Sequence, residues 1–374
     1  MRVLHVIGKL GSGGIENFVI NVYRHIDRMQ MQFDFVVFRD IKEFYEEEVK
    51  RLGGKKIVLD TMLNKNFFNR IKRIFNFFIY LKQHPEYKIV HIHMSSPSTF
   101  VVYVLVAKVL NRKTITHSHA SGDYRQGIIR KCLYALCRKI LWKISDVPLA
   151  CSEEAAIWMF SGKYNKKVRI IHNGIDIEQF AYCESIRHRM RLKYNLENHY
   201  VIGHIGRFAP EKNQKFLLEI VQKIKEFIPV KLLLVGNGSE IECIKKLVCQ
   251  KRLEHEVTFI GESHAVADLL QAIDIFLLPS LYEGLGIVAL EAQAAGLPCI
   301  LSNGVPKVVK CIELCTFLSL DDGAKKWSDK VMEFSENKNR QLDIAERKRI
   351  MKFDIQNITN DIEDIYNEVF AIKQ

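Results

Sequence analysis

The sequence predicts an α/β protein made of two doubly wound, Rossmann-like lobes facing a cleft. Three observations carry this reading. Short apolar runs alternate with longer amphipathic stretches, the pattern of parallel strands and the helices that cover them. The alternation runs once before the HNGIDIEQF stretch at 172–180 and again from residue 200 onward. A glycine-rich turn follows the first run directly, where a strand must bend sharply into its helix.

In chain order, Arg2–Ile7 reads as a buried strand, Gly8–Gly14 as the turn and Ile15–Ile26 as a helix. Further strands are expected at Phe33–Phe38, Lys56–Leu59, Ile89–His93, Thr114–Thr116 and Val147–Ala150. In the second half they are expected at Tyr200–Ile205, Lys231–Val235, Val257–Ile260, Ile275–Leu278 and Cys299–Leu301. Helices are expected around Gln214–Phe227, Glu240–Lys251, Val266–Ala272 and Gly286–Ala295. The Asn, Gly and Asp of 172–180 are turn residues and mark a junction. The expected division is 1–178, 179–352, and a last helix in 353–374 that follows the second sheet and crosses back to the first lobe. Ligands of such sheets bind at the carboxyl ends of the strands.

Composition bounds the function. The chain has 374 residues, 48% hydrophobic and 26% charged, which excludes a disordered chain, a collagen-like fibre and a small disulfide scaffold. No apolar run reaches 18 residues, so no membrane span is expected. The first apolar stretch is shorter than a signal-peptide core. Nine cysteines without a CxxC pair fit reduced thiols in the cytoplasm and show no metal-ligand spacing. Charge is split unevenly. Residues 1–180 hold 29 basic and 16 acidic side chains, a surplus of +13, whereas 181–374 hold 26 and 27, or −1. One lobe is thus expected to face something anionic.

Three segments carry candidate chemistry. In GKLGSGGIE (8–16), glycines let backbone N–H groups approach a phosphate at a helix N-terminus, although GxGxxG cannot be laid on it. In GRFAPEK (206–212), Arg207 and Lys212 flank the start of a helix and suit a diphosphate. In SLYEGLGIVALEA (280–292), Glu283 lies in a loop and Glu291 inside an apolar helix. A loop carboxylate accepts hydrogen bonds from sugar hydroxyls. A buried one needs partners, either a ribose diol or a core arginine.

These segments, taken in order, resemble the retaining family-4 glycosyltransferases of GT-B architecture, most of all the bacterial enzymes of capsular and exopolysaccharide assembly. The resemblance rests on E-x7-E from Glu283 to Glu291, on EAQAAGLP after it, and on GGIE, THSHA (116–120), HNGID (172–176), GRFAPEK, VGNGS (235–239) and FIGES (259–263). It covers nearly the whole chain. It implies that Arg207 and Lys212 hold the donor diphosphate and neutralise the leaving group. It implies that Glu291 binds the ribose, that Glu283 binds the hexose with the Leu285–Gly286–Ile287 backbone, and that Val266 lies against the base. In the first lobe, Gly13 and Gly14 would approach phosphate and acceptor. His119 would stand at the reacting sugar, with His117 and His93 as alternatives. Where close relatives have EGLP or EGFP, this chain has EGLG.

No D-x-D pair occurs, so a metal-independent site with no cofactor is expected, in which cations and helix dipoles stabilise the departing nucleotide. The acid-free amphipathic stretches 64–84 and 125–143 are expected to lie on anionic lipid. The expected function is transfer of a hexose or N-acetylhexosamine from a nucleotide sugar, of which a UDP-sugar fits best, to a lipid-linked oligosaccharide at the inner face of the cytoplasmic membrane. Two alternatives stand beside it. One is another GT-B enzyme of sucrose-synthase or phosphorylase type. The other is a non-catalytic nucleic-acid- or membrane-binding protein. Nucleic acid is not expected as a partner, because the aromatics fall at helical core spacing, not on an exposed stacking surface.

Overall fold

Strands with apolar side chains on both faces must be covered on both faces, and that requirement organises the chain. The computed structural model describes residues 1–38, 40–59, 67–120, 122, 127–160, 167–336 and 339–371. It divides into two units, Met1–Gly174 with Ile355–Gln374, and Ile175–Asp354.

The first unit holds β1 (Arg2–Gly8), β2 (Gln32–Val37), β3 (Lys56–Val58), β4 (Ile89–Met94), β5 (Lys113–Ser118), β6 (Val147–Ala150) and β7 (Arg169–Ile170). They form one parallel sheet in the order β3-β2-β1-β4-β5-β6-β7. Helix Gly14–His25 and helix Ile355–Ala371 pack on one face. Phe18, Val19 and Val22 of the first meet Ile358, Ile362 and Tyr366 of the second in one buried cluster with Phe33 and Phe35. Gly174 is held to glycine by this arrangement, since a Cβ there would stand 2.9 Å from Ile355 Cα. Helix Pro97–Val109 packs on β4 and β5 and lies against helices Phe67–Gln83 and Ile128–Ile144.

The second unit holds β8 (Tyr200–Ile205), β9 (Val230–Val235), β10 (Val257–Gly261), β11 (Ile275–Leu278), β12 (Cys299–Ser302) and β13 (Cys315–Leu318), parallel, in the order β10-β9-β8-β11-β12-β13. Helices Gln214–Ile224 and Gly323–Ser335 cover one face, with Trp327 edge-on to Phe216 in the core. Helix Glu184–Lys193 is tied to the sheet by one carboxylate. Asp274 accepts from Arg187 at 2.6 Å, Arg191 at 3.0 Å and the Val201 N–H at 2.8 Å.

Sequence patterning placed eleven strands and missed β7 and β13. Both are short and lie at a sheet edge, where burial on two faces no longer imposes a continuous apolar run.

Candidate active site

In both sheets the chain order reverses beside the first strand of the unit. β1 borders β4, and β8 borders β11, although each pair is separated by two other strands in sequence. Connections leave to opposite sides there, which opens a crevice at the carboxyl ends.

The crevice of the second unit is built from three loops. After β8, the chain runs through Gly206–Ala209 into a short 3-10 turn, Pro210–Lys212, and then Asn213 at φ +54°. Asparagine tolerates this left-handed conformation, and its side chain donates to the Pro279 carbonyl beyond β11. After β9, Gly236 sits at φ +130°, where a Cβ would collide with the Gly206 carbonyl 2.2 Å away. That close approach explains the first glycine of VGNGS, and the second, Gly238, is held likewise by the Phe208 carbonyl, 2.2 Å from where its Cβ would be. After β11, Gly286 at φ +84° caps helix Ile287–Ala294. The loops are joined by backbone bonds from Phe208 N–H to Asn237 O and from Leu281 N–H to Glu211 O.

This frame brings three predicted residues of the second unit to one crevice, and a fourth, Glu291, lies on the helix that leaves it. Lys212 Nζ donates to Glu283 Oε1 at 2.5 Å across 71 residues of sequence. Ser280 Oγ donates to the same oxygen at 2.7 Å. Arg207 is 58% exposed and pairs with Glu211 at 2.6 Å. Glu291 lies in the second turn of its helix, 7% exposed, and has no hydrogen-bond or ion-pair partner among the described residues. The core arginine considered from sequence is therefore not its partner. Leu285 and Gly286 are buried, while Val266 and Ile287 are partly exposed. Two residues that sequence reasoning passed over hold the frame. His204 is buried and pushed down to about 4 by desolvation, and its Nδ1 donates to the Leu277 carbonyl. Gln214 faces its other nitrogen at 3.4 Å and donates to the Arg207 carbonyl at 3.0 Å.

In the first unit, Gly13 is the N-cap of helix Gly14–His25, and the Glu16 carboxylate folds over it, 2.5 Å from where a Cβ would be. Gly14 faces open space. His93 and His117 are fully buried on β4 and β5, and His119 follows β5, partly exposed. Among the described residues, groups with metal-ligand spacing are His5–His91–His93 and His93–His117–His119. No carboxylate joins either group. His91 and His5 were passed over in the sequence, although the H-x-H spacing of His91 and His93 places those two rings on one face of β4.

Burial lifts the Glu291 carboxyl to about 7. The unfolded chain releases this proton near its usual 4.5, while the folded chain keeps it. Stability contributed here is therefore full below 4.5 and falls as pH rises towards 7. Glu291→Gln is expected to remove that fall, gaining roughly 3 kcal/mol relative to wild type by pH 8. Thermal melts of both proteins from pH 4.5 to 8 check this. Parallel curves would refute it.

Fold and crevice define a class: two Rossmann-like units, the second with its cations at the switch point of the sheet, where anionic ligands bind. Family models agree. Residues 12–179 match Glycosyltransferase Family 4 and residues 187–351 match Glycosyl transferases group 1. The chain is 31% identical over 338 residues to the glycosyltransferase EpsF of Bacillus subtilis (strain 168), covering 88% of this chain and 86% of EpsF. It is 34% identical over 142 residues, 37% of each chain, to the UDP-Gal:alpha-D-GlcNAc-diphosphoundecaprenol alpha-1,3-galactosyltransferase of Escherichia coli. Anabaena Alr3699/HepE, crystallised with UDP and glucose, superposes with a TM-score of 0.80 at 18% identity over 98% of this chain and 100% of that one. The chain belongs to the family-4 glycosyltransferases of GT-B architecture, and it is an enzyme.

Proposed function

We propose that the protein transfers a hexose or N-acetylhexosamine from a UDP-sugar to a lipid-linked oligosaccharide, with retention at the anomeric carbon, in the assembly of a capsular or other cell-surface polysaccharide. One observation carries this reading: the Lys212–Glu283 pair at the β8/β11 switch point, with Arg207 in the same loop as Lys212 and the unpartnered Glu291 on the helix that follows Glu283. The galactosyltransferase relative, named for a UDP-sugar and a lipid diphosphate, supports the choice of donor and acceptor class.

The chemistry follows from these groups. The C1–O bond to the donor phosphate breaks as the acceptor oxygen bonds to C1 on the same face. The acceptor proton passes to a phosphate oxygen of the leaving diphosphate. Arg207 and Lys212 meet the charge that develops there, in a site where water is largely displaced. Glu283 exchanges its bond from Lys212 for hydrogen bonds from the sugar hydroxyls. Glu291 takes those of the ribose.

A donor screen with a lipid-diphosphate acceptor, reading released nucleotide, tests this. Transfer from one or more UDP-sugars is expected and should survive saturating EDTA, since two cations stand where other architectures use a D-x-D-bound metal. Absence of transfer from every nucleotide sugar would refute the reading. Loss on chelation, restored by Mg²⁺ or Mn²⁺, would refute its metal-free form.

The acceptor side is read as a membrane surface. Among the described residues no helix is long and apolar enough to cross a membrane. Three neighbouring helices of the first unit instead turn apolar side chains outward: Ile71 and Phe75, then Leu105 and Val109, then Ile128 (83% exposed), Ile129 (87%), Leu133 and Leu136. Arg70, Lys72, Lys131 and Lys139 are exposed among them. Residues 64–66, 125 and 126 of the two basic stretches lie outside the described residues. An apolar face ringed by cations suits anionic lipid, each cation near the surface contributing about 1 kcal/mol. Co-sedimentation with phosphatidylglycerol vesicles is expected to exceed that with neutral ones. Arg70, Lys72 and Arg73 changed together to Gln should weaken it. Equal binding to both lipids would refute the docking.

A further inference from the structure

The loop 206–213, which carries both cations of the crevice, is closed at its base by two buried side chains. At its start the Gly206 N–H donates to the Val235 carbonyl at 2.9 Å, and at its end the Asn213 side chain holds the Pro279 carbonyl. His204 lies before the loop, on β8, and Gln214 follows it as the first residue of helix Gln214–Ile224. They are 0% and 2% exposed. His204 Nδ1 lies 3.0 Å from the Leu277 carbonyl of β11. Gln214 Nε2 lies 3.4 Å from His204 Nε2 and 3.0 Å from the Arg207 carbonyl.

Donors and acceptors in this cluster have one consistent assignment. A carbonyl only accepts, so Nδ1 of His204 carries the proton. Burial keeps the ring neutral, pushed down to about 4, which leaves a bare lone pair on Nε2. The Gln214 amide therefore faces two acceptors, that lone pair and the Arg207 carbonyl. Its NH2 group has two hydrogens and answers both. Turned over, the amide would set its own oxygen against both. Each contact depends on the next, from Leu277 through His204 and Gln214 to Arg207.

The cluster reaches both cations. Arg207 is held through its own carbonyl. A Cβ on Gly206 would stand 3.5 Å from His204 Nε2 and 3.7 Å from Lys212 Cδ and Cε, so the ring and the lysine stem border the same turn. The Lys212 N–H bonds to the Ala209 carbonyl at 2.9 Å, which ties the lysine to the same short span. A loop that lacked the Gln214 donors would satisfy the Arg207 carbonyl by shifting towards water.

We propose that His204 and Gln214 form a clip that closes the loop 206–213 and sets the spacing of Arg207 and Lys212. Both are positioning residues, buried beneath the crevice and acting through the two cations. The inference deepens the transferase reading and rests on it only for the identity of the anion, the diphosphate of a nucleotide sugar.

Two variants of the whole protein test the clip. Gln214→Met keeps the length of the side chain and removes both donors. His204→Asn keeps a donor for Leu277 and removes the acceptor that Gln214 uses. Amide hydrogen exchange, read by mass spectrometry, should quicken over residues 205–213 in both variants, with helix Gly323–Ser335 of the same unit unchanged. UDP binding, measured by calorimetry, should weaken roughly tenfold in Gln214→Met, the worth of one buried hydrogen bond. In the Arg207→Ala background the same substitution should cost about threefold, because one of the two cations it places is already gone. Unchanged exchange over 205–213 in both variants would overturn the proposal, and so would an equal quickening in helix Gly323–Ser335. An undiminished tenfold loss in the Arg207→Ala background would overturn it too, since it marks a residue that matters for stability alone. A wild type that binds no UDP, with exchange behaving as expected, leaves the clip standing and removes the transferase reading.

Discussion

Lys212→Ala is expected to lower kcat by two to three orders of magnitude, and Arg207→Ala by a comparable factor, since one electrostatic contact to developing charge is worth on the order of 3 kcal/mol. The two variants should differ in stability. Arg207 is largely exposed and pairs on the surface with Glu211, so its loss should leave the melting temperature nearly unchanged. Lys212 is the cationic partner of a Glu283 carboxylate that is otherwise held by Ser280. Removing it strands a buried charge, and the protein should melt earlier. Adding Glu283→Gln should restore the melting temperature of Lys212→Ala without restoring turnover. Near-normal turnover in both single variants would remove the diphosphate assignment.

Asp274→Ala is expected to be the most damaging substitution for the second unit, at about 3–5 kcal/mol. The carboxylate joins helix Glu184–Lys193 to the start of β8 by three bonds. Arg340 packs nearby, pushed down to about 10 by burial and by Arg187, and it donates to the carbonyls of Gln271 and Ile273. Without Asp274, a cluster of guanidinium groups repels itself. Calorimetry should show a fall in melting temperature of roughly 10 °C for a unit of this size. Asp274→Asn keeps an acceptor for Val201 N–H and should fall between the two. An unchanged melt would show that the arginines find other partners.

The central strands were legible because a doubly covered strand must be apolar throughout, as FLL at Phe276–Leu278 is. The cations of 206–212 were legible because a loop that opens a helix after a strand concentrates donors at one point. What sequence hides is contact across the sheet. His5 and His93 are 88 residues apart, and their meeting depends on β1 lying beside β4. A histidine on a strand, read singly, looks like ordinary core. Glu291 was visible as a carboxylate in apolar surroundings, yet only the packed structure removes the alternative that an arginine answers it.

Helix Ile355–Ala371 supplies Ile358, Ile362, Ile365, Tyr366 and Val369 to the buried cluster of the first unit. The chain between, Ile175–Asp354, makes a complete unit of its own. During synthesis the first sheet therefore leaves the ribosome with one face covered only in part, by helix Gly14–His25. At 5–20 residues per second, the missing helix arrives roughly ten to forty seconds later. The second unit, contiguous in sequence, has everything it needs to fold within that interval. Order of folding then runs against order of synthesis, and chaperones that shield apolar surface have their longest opportunity at Phe18, Phe33 and Phe35, the side chains the last helix will cover.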